Sequence, residues 1–284
     1  MNWIDEGALY SQISLFLRED LGRGDLTSQA ILARNTRARG RFVASATMIV
    51  AGLEAAEEVF LTLDSQQQLE AFVSDGEQVE AGKVIARIAG FADVLLAGER
   101  VALNLIQHLS GIATLTNQFV RAVDGTTTQI VDTREGTPGL RMLERYAVVL
   151  GGGTTGRFGL DDGVVITPNH VVVVGSIAAA VKNAKEKLGH LHRITVQVSH
   201  ENELSEAIEN GADSLAIDIG ASADVVHLIG RARSLSEKVS IECCGAITID
   251  SARELAEAGA DRLSIGALTV SRPPAKVSFS IHPF

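Results

Sequence analysis

The sequence has few cysteines and few aromatic residues. Cys243 and Cys244 are its only cysteines, and aromatic side chains make up 4% of the chain. Adjacent cysteines rarely bridge each other, so a disulfide framework is excluded and a reduced, cytoplasmic setting is expected. With 46% hydrophobic residues and so few aromatics, the core is expected to consist of Ala, Val, Leu and Ile, as in α/β proteins.

The sequence also lacks a run rich in Lys and Arg, and it lacks a long apolar run. Its formal net charge is −10, which predicts neither a nucleic-acid nor an anionic-membrane partner but is compatible with a local basic pocket for a small anion. The acidic start MNWIDEG does not resemble a signal peptide. The most apolar stretch, VVITPNHVVVVGS, is interrupted at Pro168, Asn169 and His170, short of the roughly 18 to 20 residues of a membrane helix.

Two regions with different patterns are present. The first hundred residues combine a helical pattern, LYSQISLFLRED, with short β-like runs separated by Asp-Gly and Ala-Gly turns. A long helical pattern follows over residues 94–123, with an interruption predicted near Ser110-Gly111. We therefore predict an N-terminal α/β sandwich domain over residues 1–110, joined by residues 271–284, and a second domain over residues 111–270.

From Gln129 onward, β-like and helical runs alternate with a repeat typical of βα units. Ser176, Ser222 and Thr248 are predicted to cap helices, and Gly-Ala-Asp at 211–213 and 259–261 is predicted to end two of them. Nearly continuous apolar strands favour a parallel sheet buried on both faces. A doubly wound sheet and a β/α barrel both fit, and the missing G-x-G-x-x-G after the first strand favours the barrel.

A barrel places functional side chains at the carboxyl ends of its strands. Those ends are polar or small in this sequence: Asp132, Thr133, Arg134, Thr167, Gln197, Asp218, Glu242, Cys243, Ser264 and Gly266.

The stretch GGGTTGRFG, residues 151–159, partly matches a phosphate-binding loop. Arg157 and Phe158 replace the lysine and the hydroxyl of that motif, and a helical segment rather than a strand precedes it. A glycine turn after a helix is the simpler interpretation. Together with Arg134, Arg157 becomes a candidate for binding an acid, because guanidinium groups bind carboxylates in a bidentate manner. Arg100, in GERVALN, is a third candidate, although its local context by itself favours a solvated helix arginine.

Several longer segments resemble the type II quinolinate phosphoribosyltransferases, which are carboxylating nicotinate-nucleotide pyrophosphorylases. The resemblance runs nearly end to end, and its main blocks are EDLGRGDLTS, ERVALNLIQHLSGIATLT, DTREGTPGLRMLERYAVVLGGG and SIGALTVS. It implies a small α/β sandwich joined to an incomplete β/α barrel. It also implies a homodimer, with higher oligomers left open, whose active site lies at the subunit interface.

The resemblance implies a reaction in which a pyridine dicarboxylate attacks C1 of phosphoribosyl pyrophosphate (PRPP), pyrophosphate leaves with Mg²⁺, and carbon dioxide is lost. Arg100, Arg134 and Arg157 match the carboxylate-binding arginines, and Arg100 would reach the neighbouring subunit's site. The resemblance implies catalytic roles for Asp218, Glu242 and Gln197, and Asp218 would also be a weak Mg²⁺ ligand. Besides the arginines, the implied substrate-binding residues are Thr133, Glu135, Thr167 and His170. The implied phosphate-binding residues are Cys244, Gly245, Ala246, Gly266 and Ala267.

The departures from the family lie mostly on the PRPP side. Glu135 and Thr167 stand where lysines are usual, and Gln197 stands where a glutamate is usual. Thr155-Gly156, Pro168 and Val270 replace an Asn-His pair, an aspartate and a histidine, and Cys244-Gly245-Ala246 replaces a phosphate-binding segment. These changes make the site more negative, which opposes binding of the anionic PRPP.

Three functions remain compatible with this pattern. The first is phosphoribosyl transfer to quinolinate or a close pyridine acid. The second is a decarboxylase or lyase that acts on an aromatic or pyridine carboxylate without PRPP, with His170 or Cys244 recruited as acid or base. The third is a non-catalytic ligand-binding homologue, because fold does not fix function.

Overall fold

The computed structural model of the protein describes residues 4–222 and 224–284. The helices in these ranges are α1 Glu6–Leu21, α2 Leu26–Ile31, α3 Leu53–Leu63, α4 Ala92–Ala122, α5 Arg141–Leu150, α6 Pro168–Val174, α7 Ile177–Lys187, α8 Glu201–Glu209, α9 Val225–Leu235, α10 Ile249–Glu257 and α11 Ala267–Val270.

The strands alternate with these helices. They are β1 Arg37–Ala44, β2 Met48–Ile49, β3 Leu69–Ala71, β4 Gln78–Val79, β5 Val84–Phe91, β6 Gln129–Val131, β7 Val164–Ile166, β8 Ile194–Val198, β9 Ser214–Asp218, β10 Ser240–Cys244, β11 Arg262–Ser264 and β12 Val277–Pro283.

The chain divides into two compact units. The first comprises Met1–Asn117, Thr137–Gly152 and Arg272–Phe284, and the second comprises Gln118–Gly136 and Gly153–Ser271. Residues of α5 thus belong to the first unit, which the pattern of the sequence did not indicate. The predicted boundary at residue 110 stays a prediction.

The first unit contains an antiparallel sheet in the order β12-β1-β5-β3 and a small β2-β4 pair. Residues of β1 alternate between exposed and buried, so one face of the sheet packs on the core and the other faces outward. Phe42 lies in that core, and its ring centroid is 6.4 Å from that of Phe60 and 4.5 Å from that of Phe279. The smaller N-terminal domain expected from the resemblance is confirmed, and its main sheet is antiparallel.

The interruption predicted within the long helix is wrong, because α4 continues through Ser110 and Gly111. A Cβ on Gly111 would lie 2.6 Å from the carbonyl oxygen of Pro273, so glycine permits close packing rather than a break. The Ser110 hydroxyl accepts a hydrogen bond from the Ala51 N–H at 2.9 Å and donates to the Ala51 carbonyl at 3.1 Å. Both small residues therefore serve helix packing.

The second unit is built on a parallel sheet in the order β6-β11-β10-β9-β8-β7. Strands β7 to β11 are neighbours in chain order, with helices between them. In the described ranges β6 and β7 form the two edges and do not pair, which is the arrangement of an incomplete β/α barrel. The predicted fold class is confirmed.

The expectation that the sheet is buried on both faces fits β9, where residues 214–217 are all buried, but not the neighbouring strands. Residues of β8 and β10 alternate in burial, with Ile194, Val196 and Val198 buried on one side. Gln197 and Glu242 are both register partners of Ala216, so they lie in one row on the opposite, more polar side. The strands therefore present polar side chains where a barrel interior would lie.

The Gly-Ala-Asp sequences end α8 and α10 as predicted, with Gly211 at φ 80° and Gly259 at φ 102°, a region that favours glycine. Each aspartate then accepts a hydrogen bond from the first buried residue of a neighbouring strand. Asp213 bonds the Ile194 N–H at 2.8 Å, and Asp261 bonds the Ile241 N–H at 2.7 Å. The repeated motif thus fixes the amino ends of the strands.

Two of the three predicted helix caps are confirmed. Ser176 accepts from the Ala179 N–H, and Thr248 accepts from the Ser251 N–H. The prediction for Ser222 is wrong: Asp224 caps α9, while the Ser222 hydroxyl donates to the Asp218 carbonyl at 2.7 Å. No helix in the described ranges is both long enough and apolar enough to span a membrane.

Candidate active site

The polar strand ends predicted from the sequence share one edge of the parallel sheet. Cys244 at the end of β10 is the register partner of Asp218 on β9 and Ser264 on β11. The carboxyl ends of β6, β7 and β8 lie at the same edge because all six strands are parallel. This edge is where open and closed β/α folds place their sites.

Asp218 and Gln197 are joined at this edge. The Gln197 Nε2 donates a hydrogen bond to Asp218 Oδ2 at 3.1 Å, and the Gly220 N–H donates to Oδ1 at 2.9 Å. An ionised glutamate at position 197 could not donate such a bond. Gly245 has φ 115°, and a Cβ there would lie 3.4 Å from Asp218 Oδ1. The neighbouring turn therefore needs a glycine beside this carboxylate.

Two glycines of GGGTTGRFG, Gly151 and Gly156, are explained by close packing. A Cβ on Gly151 would lie 2.5 Å from the Ala113 carbonyl oxygen, and a Cβ on Gly156 would lie 2.8 Å from the Asp132 carbonyl oxygen. Asp132 is 3% exposed, and its Oδ1 accepts a hydrogen bond from the Gly156 N–H at 2.5 Å. The segment is thus held against the end of β6 rather than wrapped around a phosphate.

This attachment also fixes the positions of Arg134 and Arg157, because they are close in sequence to Asp132 and Gly156. Arg134 is exposed. Arg157 is half-buried, and its guanidinium donates to the carbonyls of Gly159 at 2.7 Å and Leu160 at 3.2 Å. These two bonds use part of the five N–H donors of an arginine, so its own loop orients the group while other donors remain for a ligand.

Glu135 extends toward the end of β11. Its carboxylate occupies the space beside the Cα of Gly266. The Thr269 hydroxyl donates to the Glu135 carbonyl at 2.6 Å, and the Glu135 N–H donates to Thr133 Oγ1 at 3.1 Å. Thr133, Glu135 and Gly266 are therefore brought together, with a carboxylate placed where phosphate binding was predicted. Ala267, the first residue of α11, comes directly after Gly266.

The other predicted phosphate-binding residues form the turn after β10. The Ile219 N–H donates to the Cys244 carbonyl, and the Ile247 N–H donates to the Gly245 carbonyl, both at 2.9 Å. Gly245 and Ala246 are exposed. This exposed turn is therefore accessible to an anion.

His170 belongs to the short helix α6. It is exposed in the first turn of α6, where its Nδ1 accepts from the Thr167 N–H at 3.1 Å and lies 2.7 Å from the Thr167 hydroxyl. The two side chains cap the helix together. The short helix itself was missed, because four consecutive valines have low helix propensity.

The two adjacent thiols are poorly suited to acid–base or nucleophilic chemistry. Burial raises the pKa of Cys243 to about 12, and burial together with the charges of Asp218 and Glu242 raises the pKa of Cys244 to about 12. Cys243 is fully buried, whereas Cys244 is half-buried with its Sγ 3.6 Å from the Ile217 carbonyl oxygen. Recruitment of Cys244 as a base is therefore disfavoured.

Arg100 lies exposed on α4, in the first compact unit. Metal binding by protein side chains alone has no support within the described ranges, where no group of three or more His, Cys, Asp or Glu residues is arranged to hold a metal ion. The role of Asp132 as the anchor of the Arg157 segment was not predicted. An acidic residue directly after an apolar strand was the available signal.

Comparison with known proteins agrees with this architecture. Family patterns described as the N-terminal and C-terminal domains of quinolinate phosphoribosyl transferase match residues 25–110 and 112–280. A probable nicotinate-nucleotide pyrophosphorylase [carboxylating] of Bacillus subtilis is 42% identical over 266 residues, covering 94% of this chain and 91% of the relative. A similarly named Synechocystis protein is 37% identical, covering 94% and 90%.

Solved structures give the same result. The nicotinate-nucleotide pyrophosphorylase from Francisella tularensis superposes with a TM-score of 0.91 at 33% identity, covering 98% of both chains. Together these matches place the protein in the phosphoribosyltransferase class. The chain belongs to the quinolinate phosphoribosyltransferase family.

Proposed function

We propose that the protein transfers the phosphoribosyl group of PRPP to quinolinate or a closely related pyridine dicarboxylate, with decarboxylation to nicotinate mononucleotide. The observation that carries this proposal is the hydrogen bond between Asp132 and the Gly156 N–H. It joins the chain two residues before Arg134 to the chain one residue before Arg157. Two guanidinium groups are thereby placed at one edge of the sheet, and quinolinate carries two adjacent carboxylates that they can bind.

The bound acid is held by charge-assisted hydrogen bonds that leave its ring nitrogen free to react. The nitrogen lone pair forms a bond to C1 of PRPP as the bond from C1 to the pyrophosphate oxygen breaks. Positive charge develops on the ribosyl carbon during this step, and the carboxylates of Asp218 and Glu242 are proposed to stabilise it. Gln197 holds Asp218 in place through its amide.

Decarboxylation follows from the charge on the ring. Once the nitrogen is alkylated, the electron pair released when the adjacent carbon–carboxylate bond breaks is stabilised by the neighbouring cationic nitrogen. Carbon dioxide leaves as that bond breaks, and a proton then adds to the ring carbon. The arginines favour this step only if the carboxylate that is lost is held less tightly than the one that stays.

Magnesium is proposed to arrive with PRPP, because Mg²⁺ commonly binds through substrate phosphates and one or two carboxylates. Asp218 would supply one carboxylate contact to the ion rather than form part of a closed metal cage, because both of its oxygens already accept hydrogen bonds. The ion would supply charge neutralisation of the departing pyrophosphate. Glu135 and Thr167 supply no positive charge there, so PRPP binding is expected to be weak.

The proposal includes a homodimer in the cytoplasm, with higher oligomers left open. Arg100 is exposed on α4, and it is proposed to complete the site of a neighbouring subunit. Two free cysteines suit a reducing compartment. The partners proposed are small anions, with no role for a membrane.

The test is pyrophosphate release from quinolinate, PRPP and Mg²⁺. Arg134→Ala and Arg157→Ala are expected to raise KM for quinolinate, each by about tenfold or more, because each removes a charge-assisted contact. Arg193→Ala is the matched control, since Arg193 precedes β8 at the opposite end of the sheet. Pyrophosphate release no greater than in a blank would refute the proposal. Carbon dioxide evolved without PRPP would instead indicate a decarboxylase.

A further inference from the structure

The outward face of the antiparallel sheet in the first unit carries a cluster of arginines. Arg37, Arg39 and Arg41 alternate along β1, and Arg87 lies on β5; all four are exposed. Alternate residues of a strand point to the same side, so these four form one surface, called the arginine face below. The net charge of −10 averages over the chain and conceals this surface.

Positive charge predominates on the arginine face. Arg41 and Arg87 are direct register partners, and like charges in such positions destabilise a sheet. Arg41 donates from Nε to Ser280 Oγ at 3.0 Å. Within the described residues none of the four arginines forms an ion pair, although Glu70 is the register partner of Arg87 on β3. The cluster therefore carries a cost that a bound anion would remove.

Aromatic rings hold the guanidinium groups in place. The Arg39 Cζ lies 4.1 Å from the centroid of the Phe284 ring, and the Arg87 Cζ lies 4.8 Å from that of Phe72. Arg37 is held in the same way, 5.3 Å from the centroid of Phe91. Stacking restrains the plane of a guanidinium while its N–H donors stay free at the edge.

A cavity of 340 Å³ opens between Arg39 and Arg87, with Gln66, Gln68 and Glu70 among its lining residues. This volume lies at the lower end of the range of about 300–1,000 Å³ for small-molecule sites. Two guanidinium groups provide the fork geometry that matches phosphate. The two glutamine amides provide donors and acceptors for a polar body attached to it.

We propose that the arginine face binds a phosphate-bearing small molecule of nucleotide size. Its phosphates contact Arg39 and Arg87, with Arg41 adding charge, and the rest of the molecule lies against Gln66 and Gln68. This site uses none of the residues assigned to phosphoribosyl transfer, and it stands whether or not that function is correct.

The test is calorimetric titration with ATP in the absence of Mg²⁺, with inorganic triphosphate and adenosine as comparison ligands. ATP and triphosphate are expected to bind and adenosine is not. Arg39→Ser and Arg87→Ser should each weaken ATP binding by about tenfold or more, because each removes a charge-assisted contact. Arg18→Ser is the matched control: Arg18 is exposed on α1 in the same unit, and the substitution changes the charge equally.

Three results would overturn the proposal: no binding of ATP at millimolar concentration, an equal loss in Arg18→Ser, or clearly tighter binding of a single-stranded oligonucleotide than of ATP. Thermal unfolding without ligand gives a second test. Arg41→Thr should raise the midpoint, because it removes one of two opposed like charges and introduces a good strand former. A lower midpoint would show that the cluster is structural, and the proposal would fail.

Discussion

The Glu135 carboxylate lies against the Cα of Gly266, where a side chain at residue 266 would otherwise be. A Cβ on Gly266 would be 2.9 Å from Glu135 Cδ and 3.5 Å from Thr133 Oγ1. The glycine is therefore needed to accommodate the acid. An anionic ligand at this point must displace the carboxylate or approach with its charge neutralised.

Replacing this acid by a base should strengthen PRPP binding. Glu135→Lys removes a repulsive charge and adds an attractive one, and Thr167→Lys adds another at the end of β7. We expect the double variant to lower the Kd for PRPP by about tenfold or more, since a charge-assisted contact contributes roughly 1.5 to 3 kcal/mol. Calorimetry with PRPP and Mg²⁺ measures the change.

The control for the Glu135→Lys change is Glu209→Lys, which replaces the same acid by the same base at an exposed position on α8. If this control improves PRPP affinity equally, net charge alone is responsible. Unchanged affinity in the double variant would show that residues 135 and 167 do not face the ligand.

Mixed dimers test whether Arg100 serves a neighbouring subunit. Arg100→Ala and Asp218→Asn should each be inactive alone. Random reassociation should then restore about a quarter of wild-type activity, because half of the dimers are mixed and each contains one intact site. As a control, Arg134→Ala mixed with Asp218→Asn should stay inactive, since both residues belong to the second unit of the same chain. No recovery in verified mixed dimers would exclude a shared site.

Asp75 predicts a pH dependence of stability. Its carboxylate accepts from the N–H groups of Gly52 at 2.9 Å and Leu53 at 3.1 Å and from the Tyr146 hydroxyl at 3.1 Å. Burial outweighs these hydrogen bonds and raises the pKa of Asp75 above 3.8. Since the folded pKa exceeds the unfolded one, this group's contribution is fully present below pH 3.8 and is lost as the pH rises through the folded pKa.

Urea unfolding at several pH values from 4 to 7 measures this effect. The free energy of unfolding of the wild type minus that of Asp75→Asn should fall as the pH rises. Asp64 is the control of opposite sign, because its hydrogen bond with Gln67 lowers the pKa of Asp64. The corresponding difference for Asp64→Asn should rise with pH below about pH 4, where this lowered pKa lies, and should be nearly flat from pH 4 to 7. A flat difference for Asp75 would contradict the argument.

The adjacent cysteines should resist both oxidation to a mutual disulfide and alkylation. Cys243 and Cys244 are consecutive residues of β10, so their side chains point to opposite faces. With both pKa values near 12, little thiolate is present at pH 8. Thiol titration should give slow reaction in the native protein and two rapid equivalents in urea. Rapid native reaction, or a mass loss matching a vicinal disulfide, would contradict this placement.

The sequence was sufficient to predict the βα alternation, the two Gly-Ala-Asp helix ends and the polar strand ends, because each depends on local chemistry. Gly211 and Gly259 end helices through a backbone conformation that glycine adopts freely. The sequence did not reveal why Gly111, Gly151 and Gly156 are glycines. Their reason is the approach of backbone from elsewhere in the chain, and no local pattern records such a neighbour.

The site could be predicted in composition but not in geometry. Arg157 was recognised, whereas its anchoring by Gly159 and Leu160 depends on the path of the loop. Glu135 follows β6 and Gly266 follows β11 in the chain. Only the strand order of the sheet brings these two residues together. The amino-acid composition likewise did not indicate the arginine face, because it does not record that alternate residues of one strand point to the same side.

Strand β1 pairs on one side with β12, and residues 45–276 separate the two in the chain. During translation, one edge of β1 therefore stays open until β12 emerges from the ribosome, after a delay of some tens of seconds or less at about 5 to 20 residues per second. Nascent chains with an open edge are prone to pair with one another. Positively charged side chains along β1 would keep neighbouring polypeptides on a polysome apart during that interval.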